Sequence, residues 1–454
     1  MKRTAHSFLL DWLALEQRKP LVVRGARQVG KTWLVRNFAQ TEQLALLEIN
    51  FEKNPKLLSL FESNDSHQIL LSLSAHFNQK IDPKRSLLFL DEVQAAPEIL
   101  SKLRWFAEDL AELPVVAAGS LLEFVLAEHS FSMPVGRIHY MHLEPLSFEE
   151  FLTAKNKQAL VDYLSNYTLN TQLPQVIHDG LMADFKEYLI IGGMPSAVTS
   201  WIHQSSLKQV NQIHHDLMAT YRDDFAKYSG RLSIERLDEV MLSVPKFLGE
   251  KFIYSRVNPL IRIESIKKSL DLLCKARVCH RVIGCAANGV PLLAEVLDKH
   301  LKVIFLDVGL CSAALGLTLG ELFQIDEISL INKGAIAEQV VGQLLRTITP
   351  FYAEPALTYW HREEKGSNAE VDYVMGYGSK VIPVEVKAGS TGSLKSLHLF
   401  MGLKGFPVAV RFNSDLPSEF QVNTKEREGK SIEYKLISLP FYLLGQLHRL
   451  LSVA

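Results

Sequence analysis

The chain has 454 residues, 49 of them Lys or Arg and 50 Asp or Glu, for a net charge of −1. At about 150 residues per domain, two or three domains are expected. The balance excludes a chain-wide basic surface, so any nucleic-acid contact must come from a local patch. A hydrophobic share of 47% with 22% charged residues supplies more than one core and excludes disorder as the main state.

The first apolar run, residues 8–15, is broken by Asp11 and followed by Glu16, Arg18 and Lys19, so it does not read as a secretory leader. The longest uncharged stretch, residues 188–207, holds Gly192, Gly193, Pro195 and Gln204 and makes a poor membrane span. The cysteines Cys274, Cys279, Cys285 and Cys311 form no close pair in sequence and sit among apolar neighbours. Free buried thiols and a cytoplasmic setting, with no membrane partner, are expected.

Residues 1–145 alternate short apolar strands with helices, which implies a parallel sheet covered on both faces. The strand at 21–23 runs into Gly25-Ala26-Arg27-Gln28-Val29-Gly30-Lys31-Thr32, a G-x-x-x-x-G-K-[ST] phosphate loop, and a helix follows. Glycines let successive N–H groups face phosphate oxygens, Lys31 supplies charge to the β- and γ-phosphates, and Thr32 offers a hydroxyl to Mg²⁺. The strand at 87–90 ends in Asp91-Glu92. Asp91 is the expected Mg²⁺ holder through water, and Glu92 the group that polarises attacking water. A third buried strand, 114–118, ends at Gly119-Ser120, where Ser120 is placed to sense the γ-phosphate, to cap a following helix, or both. Arg137, in Gly136-Arg137-Ile138, reads either as an arginine finger reaching a neighbouring subunit's nucleotide or as a solvated surface charge.

From residue 146 the pattern turns helical, opened by a capping box at Ser147-Phe148-Glu149-Glu150. Residues 251–282 suggest a helix-turn-helix, with Ile266, Leu270 and Leu273 inward and Lys267, Lys268, Asp271 and Lys275 outward. Segments 278–283 and 301–306 are its expected wing strands. The exposed lysines suit DNA phosphates, but Glu264 and Asp271 dilute the patch, so a protein-contact or lid role stands beside DNA contact.

A helix is expected over 333–348, with Glu338 at the border of its apolar stripe, where a carboxylate needs a partner. Then Asp372 lies in an apolar strand, Gly376-Tyr377-Gly378-Ser379 suits a hairpin loop, and Glu385 and Lys387 lie on the returning strand. Pairing Met375 with Lys380 puts Asp372 opposite Pro383 and diagonal to Glu385, with both carboxylates and Lys387 on one face. Val384 and Val386 then point the other way, into a core. The stretch 414–431 is expected as a loop or edge.

The order of phosphate loop, Asp-Glu strand, Ser120 strand and Gly136-Arg137 resembles the AAA+ ATPases. More narrowly, Arg24 to Thr32, Ala118-Gly119-Ser120, Leu143 to Phe151 and Gly192-Gly193-Met194-Pro195 resemble a large prokaryotic family that joins an AAA-type ATPase to a C-terminal domain of unknown function. Glu338, Asp372, Glu385 and Lys387 resemble the PD-(D/E)xK pattern of restriction-endonuclease-like folds, without the leading proline. That resemblance implies Mg²⁺ or Mn²⁺ on Glu338, Asp372 and Glu385, with Lys387 acting on water.

The expected architecture is α/β. An AAA-type ATPase core spans 1–145, a helical lid 146–230, a winged-helix-like unit 231–310 and a restriction-endonuclease-like domain 325–454. The expected activity is Mg²⁺-dependent ATP hydrolysis by a homo-oligomer, controlling a nuclease-like domain that acts on DNA. The alternative is a nucleotide-gated protein-interaction switch whose nuclease-like domain is inactive.

Overall fold

The computed structural model describes residues 1–120, 122, 134–228, 233–317, 334–364, 367–388, 393–425 and 431–453. The chain forms two compact units. The first comprises Met1–Glu144 with two later insertions, Lys275–Arg277 and Thr349–Glu354; the second comprises the rest.

In the first unit, α1 (Ala5–Leu13) precedes β1 (Leu21–Arg24), α2 (Lys31–Thr41) and β2 (Ala45–Asn50). Then follow α3 (Ser66–Phe77), β3 (Ser86–Asp91), α4 (Ile99–Asp109), β4 (Val115–Ala118) and β5 (His139–His142). The strands make one five-stranded sheet in the order β2-β3-β4-β1-β5, with every pairing parallel. Helices therefore lie on its faces. Leu88, Leu90, Val115 and Ala117 share a core with Ile69 and Leu73 of α3 and Ile99, Leu103 and Phe106 of α4. The sequence expectations for β1, β3 and β4 hold to within a residue or two. The helix expected after Ser120 falls at 121 and 123–133, outside the described residues.

The second unit opens with helices α5 (Phe148–Ala154), α6 (Gln158–Asn166), α7 (Gln175–Ile191), α8 (Pro195–Gln204) and α9 (Leu207–Tyr228). The capping box forms: Ser147 Oγ accepts from Glu150 N, and Glu150 Oε2 accepts from Ser147 N at 3.1 Å. Gly192 and Gly193 make room for Asp307, which is fully buried and accepts a 2.6 Å hydrogen bond from Gly193 N. A Cβ at Gly192 would lie 2.1 Å from that carboxylate. Further on come α10 (Ile234–Ser243), α11 (Tyr254–Val257), α12 (Ile263–Lys275), β6 (Cys279–Cys285), β7 (Val296–Phe305), α13 (Val308–Ala314) and α14 (Ala335–Thr347). The chain closes with β8 (Leu357–Glu364), β9 (Ser367–Tyr377), β10 (Lys380–Val386), α15 (Lys395–Lys404), β11 (Val408–Asn413), β12 (Ser418–Lys425), β13 (Ser431–Pro440) and α16 (Leu447–Val453).

The eight strands of this unit form one mixed sheet, β12-β13-β11-β10-β9-β8-β6-β7. This changes the expected organisation. The segments read as wings of a separate 231–310 unit do pair with each other as β6 and β7, but β6 also runs parallel to β8. The line expected between that unit and the 325–454 domain crosses a continuous sheet. Ile266, Leu270 and Leu273 of α12 are buried as expected, and Asp271 is taken up by an ion pair with Arg281 of β6. The stretch 414–431 supplies β12, an edge strand.

Candidate functional sites

In the first unit the phosphate loop leaves β1 and turns through two left-handed residues, Gln28 (φ 63°) and Gly30 (φ 95°). Such dihedrals point consecutive N–H groups to one side, and α2 adds its free N-terminal amides. Gly25 is required by close approach: a Cβ there would lie 2.4 Å from Leu143 O. Val29 is buried, and its carbonyl accepts from Arg3 Nη1 at 3.0 Å, which pins the loop. Lys31 is itself buried and donates from Nζ to Gly25 O (3.0 Å) and Ala26 O (2.9 Å), so its ammonium lies over the loop.

Strand β4 separates the loop strand from the acidic strand. Val23, Ala118 and Asp91 stand in one row across β1, β4 and β3, at the C-terminal edge of the sheet. Thr32 Oγ1 reaches across and donates to Asp91 Oδ2 at 3.1 Å, and Asn50 Nδ2 approaches the same oxygen at 3.4 Å. Burial, and next the charge of Glu92, push the Asp91 carboxyl up to about 6. Glu92 sits in the left-handed region (φ 53°) and accepts from Gln94 Nε2. Gln94 occupies the space a side chain at position 119 would need, since a Cβ on Gly119 would meet its Oε1 at 2.6 Å. Ser120, next along β4's exit, is 3% exposed, and its hydroxyl makes no hydrogen bond among the described residues. A buried hydroxyl without a partner is costly. Here it lies at the edge between the loop and the two carboxylates.

The donor set fits a magnesium–nucleotide. Thr32 and Asp91 offer hard oxygen atoms side by side, while Lys31 and the loop amides of Gly25, Ala26, Arg27, Gln28, Val29 and Gly30 suit a polyphosphate. Arg137 is at the other edge. It lies two residues before His139, which pairs with Leu21 at the start of β1. Its Nε donates to Glu108 Oε1 at 2.7 Å, an oxygen that Arg104 also contacts at 3.1 Å. Within its own unit the side chain therefore sits across the sheet from the loop.

In the second unit, β9 and β10 form the expected hairpin with a different register. The loop is two residues, Gly378-Ser379, with Gly378 at φ 58°. Tyr377 pairs with Lys380 and Met375 with Ile382. The expected register is off by two residues, so Asp372 comes opposite Glu385 instead of Pro383. Its Oδ2 accepts from Val386 N at 2.7 Å. Strict alternation also fails. The β8–β9 ladder shifts by one between Thr358 and Trp360, and Val371 and Val374 share a single core cluster. A bulge of this kind re-aims side chains. Both faces of β10 are covered: Glu385 is 4% exposed, as buried as Val384 and Val386, because β9 and β11 flank this strand and helices pack on the sheet.

Glu385 Oε1 pairs with Lys387 at 2.6 Å, as the sequence pattern implies. Its other oxygen is buried without a hydrogen bond among the described residues. Burial, then the nearby Asp372 charge, push this carboxyl up to about 8. Glu338, on α14, is bound to a residue the sequence reading missed. Lys302 Nζ lies 2.7 Å from Glu338 Oε1 and also pairs with Glu370. The Lys302 side chain is 3% exposed, and its ammonium stands 5.1 Å from the centre of the Tyr359 ring. Carboxylate oxygens of Glu338, Glu370 and Asp372 lie within 4.8 Å of one another. Burial pushes Glu338 up to about 7 even though Lys302 pulls it down. The available signal was a lysine inside the apolar run 301–306; Glu370, two residues from Asp372, was the second.

Comparison with known proteins finds three family matches in succession along the chain. Residues 17–152 match the family described as AAA domain. Residues 182–321 and 333–442 match two domains of unknown function, DUF8612 and DUF4143. No curated protein matches the chain. Among solved structures, the Walker-type ATPase paby2304 of Pyrococcus abyssi is similar at 15% identity and TM-score 0.42, over 69% of this chain and 95% of that one. PCH-2 of C. elegans is similar at 12% identity and TM-score 0.27, over 43% of this chain and 59% of that one. Neither likeness is close enough to fix a fold or an activity. What the comparisons support is an AAA domain over residues 17–152, the stretch that holds the phosphate-loop motif at 25–32. Among the described residues, no helix is long and apolar enough to cross a membrane.

Proposed function

We propose that this protein is a cytoplasmic, Mg²⁺-dependent ATPase. The observation that carries the reading is the Thr32–Asp91 hydrogen bond, 3.1 Å long, which brings the phosphate loop and the acidic strand end to one point. In this reading Lys31 and the loop amides bind the β- and γ-phosphates, and Thr32 and Asp91 hold the ion. Glu92, fixed by Gln94, orients water, and the Ser120 hydroxyl meets the γ-phosphate. Arg137 completes the site only from a neighbouring subunit of a homo-oligomer, because its own loop is at the opposite sheet edge. The test is ATP binding and turnover by Lys31→Ala and Glu92→Gln. Lys31→Ala loses affinity; Glu92→Gln binds ATP and fails to turn it over. Equal affinity in wild type and Lys31→Ala would reject the site.

For the second unit, the expected nuclease control over DNA and the alternative of a nucleotide-gated protein-interaction switch remain distinct. Lys302 favours the switch: the acidic group that would hold Mg²⁺ or Mn²⁺ through Glu338 and Asp372 already contains a buried ammonium. DNA cleavage by purified protein with Mn²⁺ and ATP, abolished by Asp372→Ala and Lys387→Ala, would restore the nuclease reading.

A further inference from the structure

Three side chains of the eight-stranded sheet take no part in either site above. Gly284, on β6, pairs with Tyr359 of β8, and on its other side a Cβ would lie 2.5 Å from His300 Cβ of β7. Strands one apart in a sheet are separated by about 10 Å. With no side chain on the middle strand, imidazoles from the two outer strands meet: the His300 and His361 rings have centroids 4.9 Å apart. Glu363, two residues beyond His361 on the same face of β8, completes the group. Its Oε1 lies 3.7 Å from His361 Nδ1 and 4.0 Å from His300 Nδ1. One ligand atom from each residue falls within 4.8 Å of the other two. The His361 Nδ1 is buried and makes no hydrogen bond among the described residues.

Ligand atoms about 2.1 Å from a shared tetrahedral centre stand about 3.4 Å apart. Glu363 Oε1 stands 3.7 and 4.0 Å from the two Nδ1 atoms, so it must close by about 0.3–0.6 Å, which the half-exposed Glu363 (51%) can supply, while the imidazole ligand atoms lie within 4.8 Å of each other. We propose that His300, His361 and Glu363 form a binding site for a first-row divalent transition-metal ion, with zinc as the reference ion. Two imidazole nitrogens and one carboxylate suit zinc, cobalt or nickel and disfavour magnesium and calcium. Three protein ligands leave a coordination position open, and the exposed side of Glu363 gives the ion its entry. The site is separate from the Glu338–Glu370–Asp372 group, whose donors are all oxygen and whose charge is met by Lys302. Its competitor is Lys251, which holds Glu363 Oε1 at 2.8 Å; metal and ammonium contend for the same oxygen.

The experiment is titration of the full-length protein, free of nucleotide, with Co²⁺, followed by visible d–d absorption and then displacement by Zn²⁺ in a calorimeter. One equivalent is expected. His361→Ala and Glu363→Gln should each weaken binding by at least about tenfold, a loss on the scale of disturbed metal shells. Lys251→Met should tighten it, and Glu338→Gln should leave it unchanged. Glu363→Gln and Lys251→Met change side chains that are 51% and 31% exposed, so they report on the ion even if His361→Ala fails to fold. The Sγ atoms of Cys274 and Cys279 lie 3.9 Å apart and are the rival ligands. A bound ion that shows thiolate charge transfer and vanishes in Cys274→Ser would overturn the assignment. So would a wild-type protein that binds no Co²⁺, or one whose bound ion is indifferent to Glu363→Gln.

Discussion

Replacing Lys302 with methionine keeps most of the side-chain volume and removes the cation from a group of carboxylates. The side chain is 3% exposed, so no solvent replaces it. Removing one partner of a buried ion pair costs about 3–5 kcal/mol. A second route gives the same size: two carboxylates about 5 Å apart repel by about 3 kcal/mol at an effective dielectric constant of 20. That repulsion is relieved when one of them takes a proton. Glu338 titrates at about 7 in the fold, against an ordinary glutamate value of 4.5, and losing Lys302 pushes it further up. The folded state then binds more protons than the unfolded chain, so stability falls as pH rises through this window and recovers on acidification. Lys302→Met should therefore cost about 3–5 kcal/mol at pH 8 and clearly less at pH 5.5, while Lys302→Arg should cost little. The assay is amide exchange of β9 and β10 across a urea series, which reads this unit without assuming that both units unfold together. A cost below about 1 kcal/mol at pH 8, or an equal cost at both pH values, would refute the counter-ion role.

Three further outcomes follow from the same geometry. Gly25→Ala should abolish nucleotide binding measured by calorimetry, because its Cβ would sit 2.4 Å from the Leu143 carbonyl and the loop cannot move without losing its shape. Arg137→Ala should bind ATP normally but turn over slowly, and mixing it with Lys31→Ala should restore part of the rate; turnover independent of protein concentration would remove the trans role. His214, fully buried on α9 with Nε2 3.0 Å from Ile191 O, is pushed down by burial to about 4 from 6.5. Its folded pKa lies below the unfolded one, so stability is intact above pH 6.5 and is lost as pH falls toward 4. His214→Gln should remove part of that acid sensitivity, at most about 3 kcal/mol, in urea titrations across this range.

The phosphate-loop domain was legible because its motif is local. Eight consecutive residues define the loop, and an apolar strand ending in Asp91-Glu92 carries its own direction. What sequence could not give was which strand lies between them, or that the strand after Arg137 pairs with the start of β1 and leaves Arg137 at the opposite edge. In the second unit the missing information is long-range. The β6–β7 pair was visible, but its partner β8 comes much later in the chain, so the pair read as wings. The hairpin was visible too, while its register depended on whether two or four residues turn the corner. The bulge at Asp372 breaks strict alternation along β9, yet Asp372 still comes opposite Glu385, which pairs with Lys387. Lys302 and Glu338 carry no common pattern; only the packing of helix α14 against strand β7 brings them together. His300 and His361 meet because a glycine is missing a side chain on the strand between them.

The two short insertions in the first unit bear on how the protein is made. His142, at the end of the edge strand β5, donates its N–H to Phe351 O at 2.8 Å, and the buried Arg277 pairs with Glu354 at 3.0 Å. These partners leave the ribosome long after the phosphate loop does. At about 5–20 residues per second, the roughly 200 residues between His142 and Phe351 take on the order of 10–40 s to synthesise. Through that interval the nascent first unit lacks the last backbone bond along β5. A ribosome stalled before residue 349 should therefore display a domain that is more readily cut by protease near residues 139–144 than the released chain. Completion of the first unit is timed by synthesis of the second.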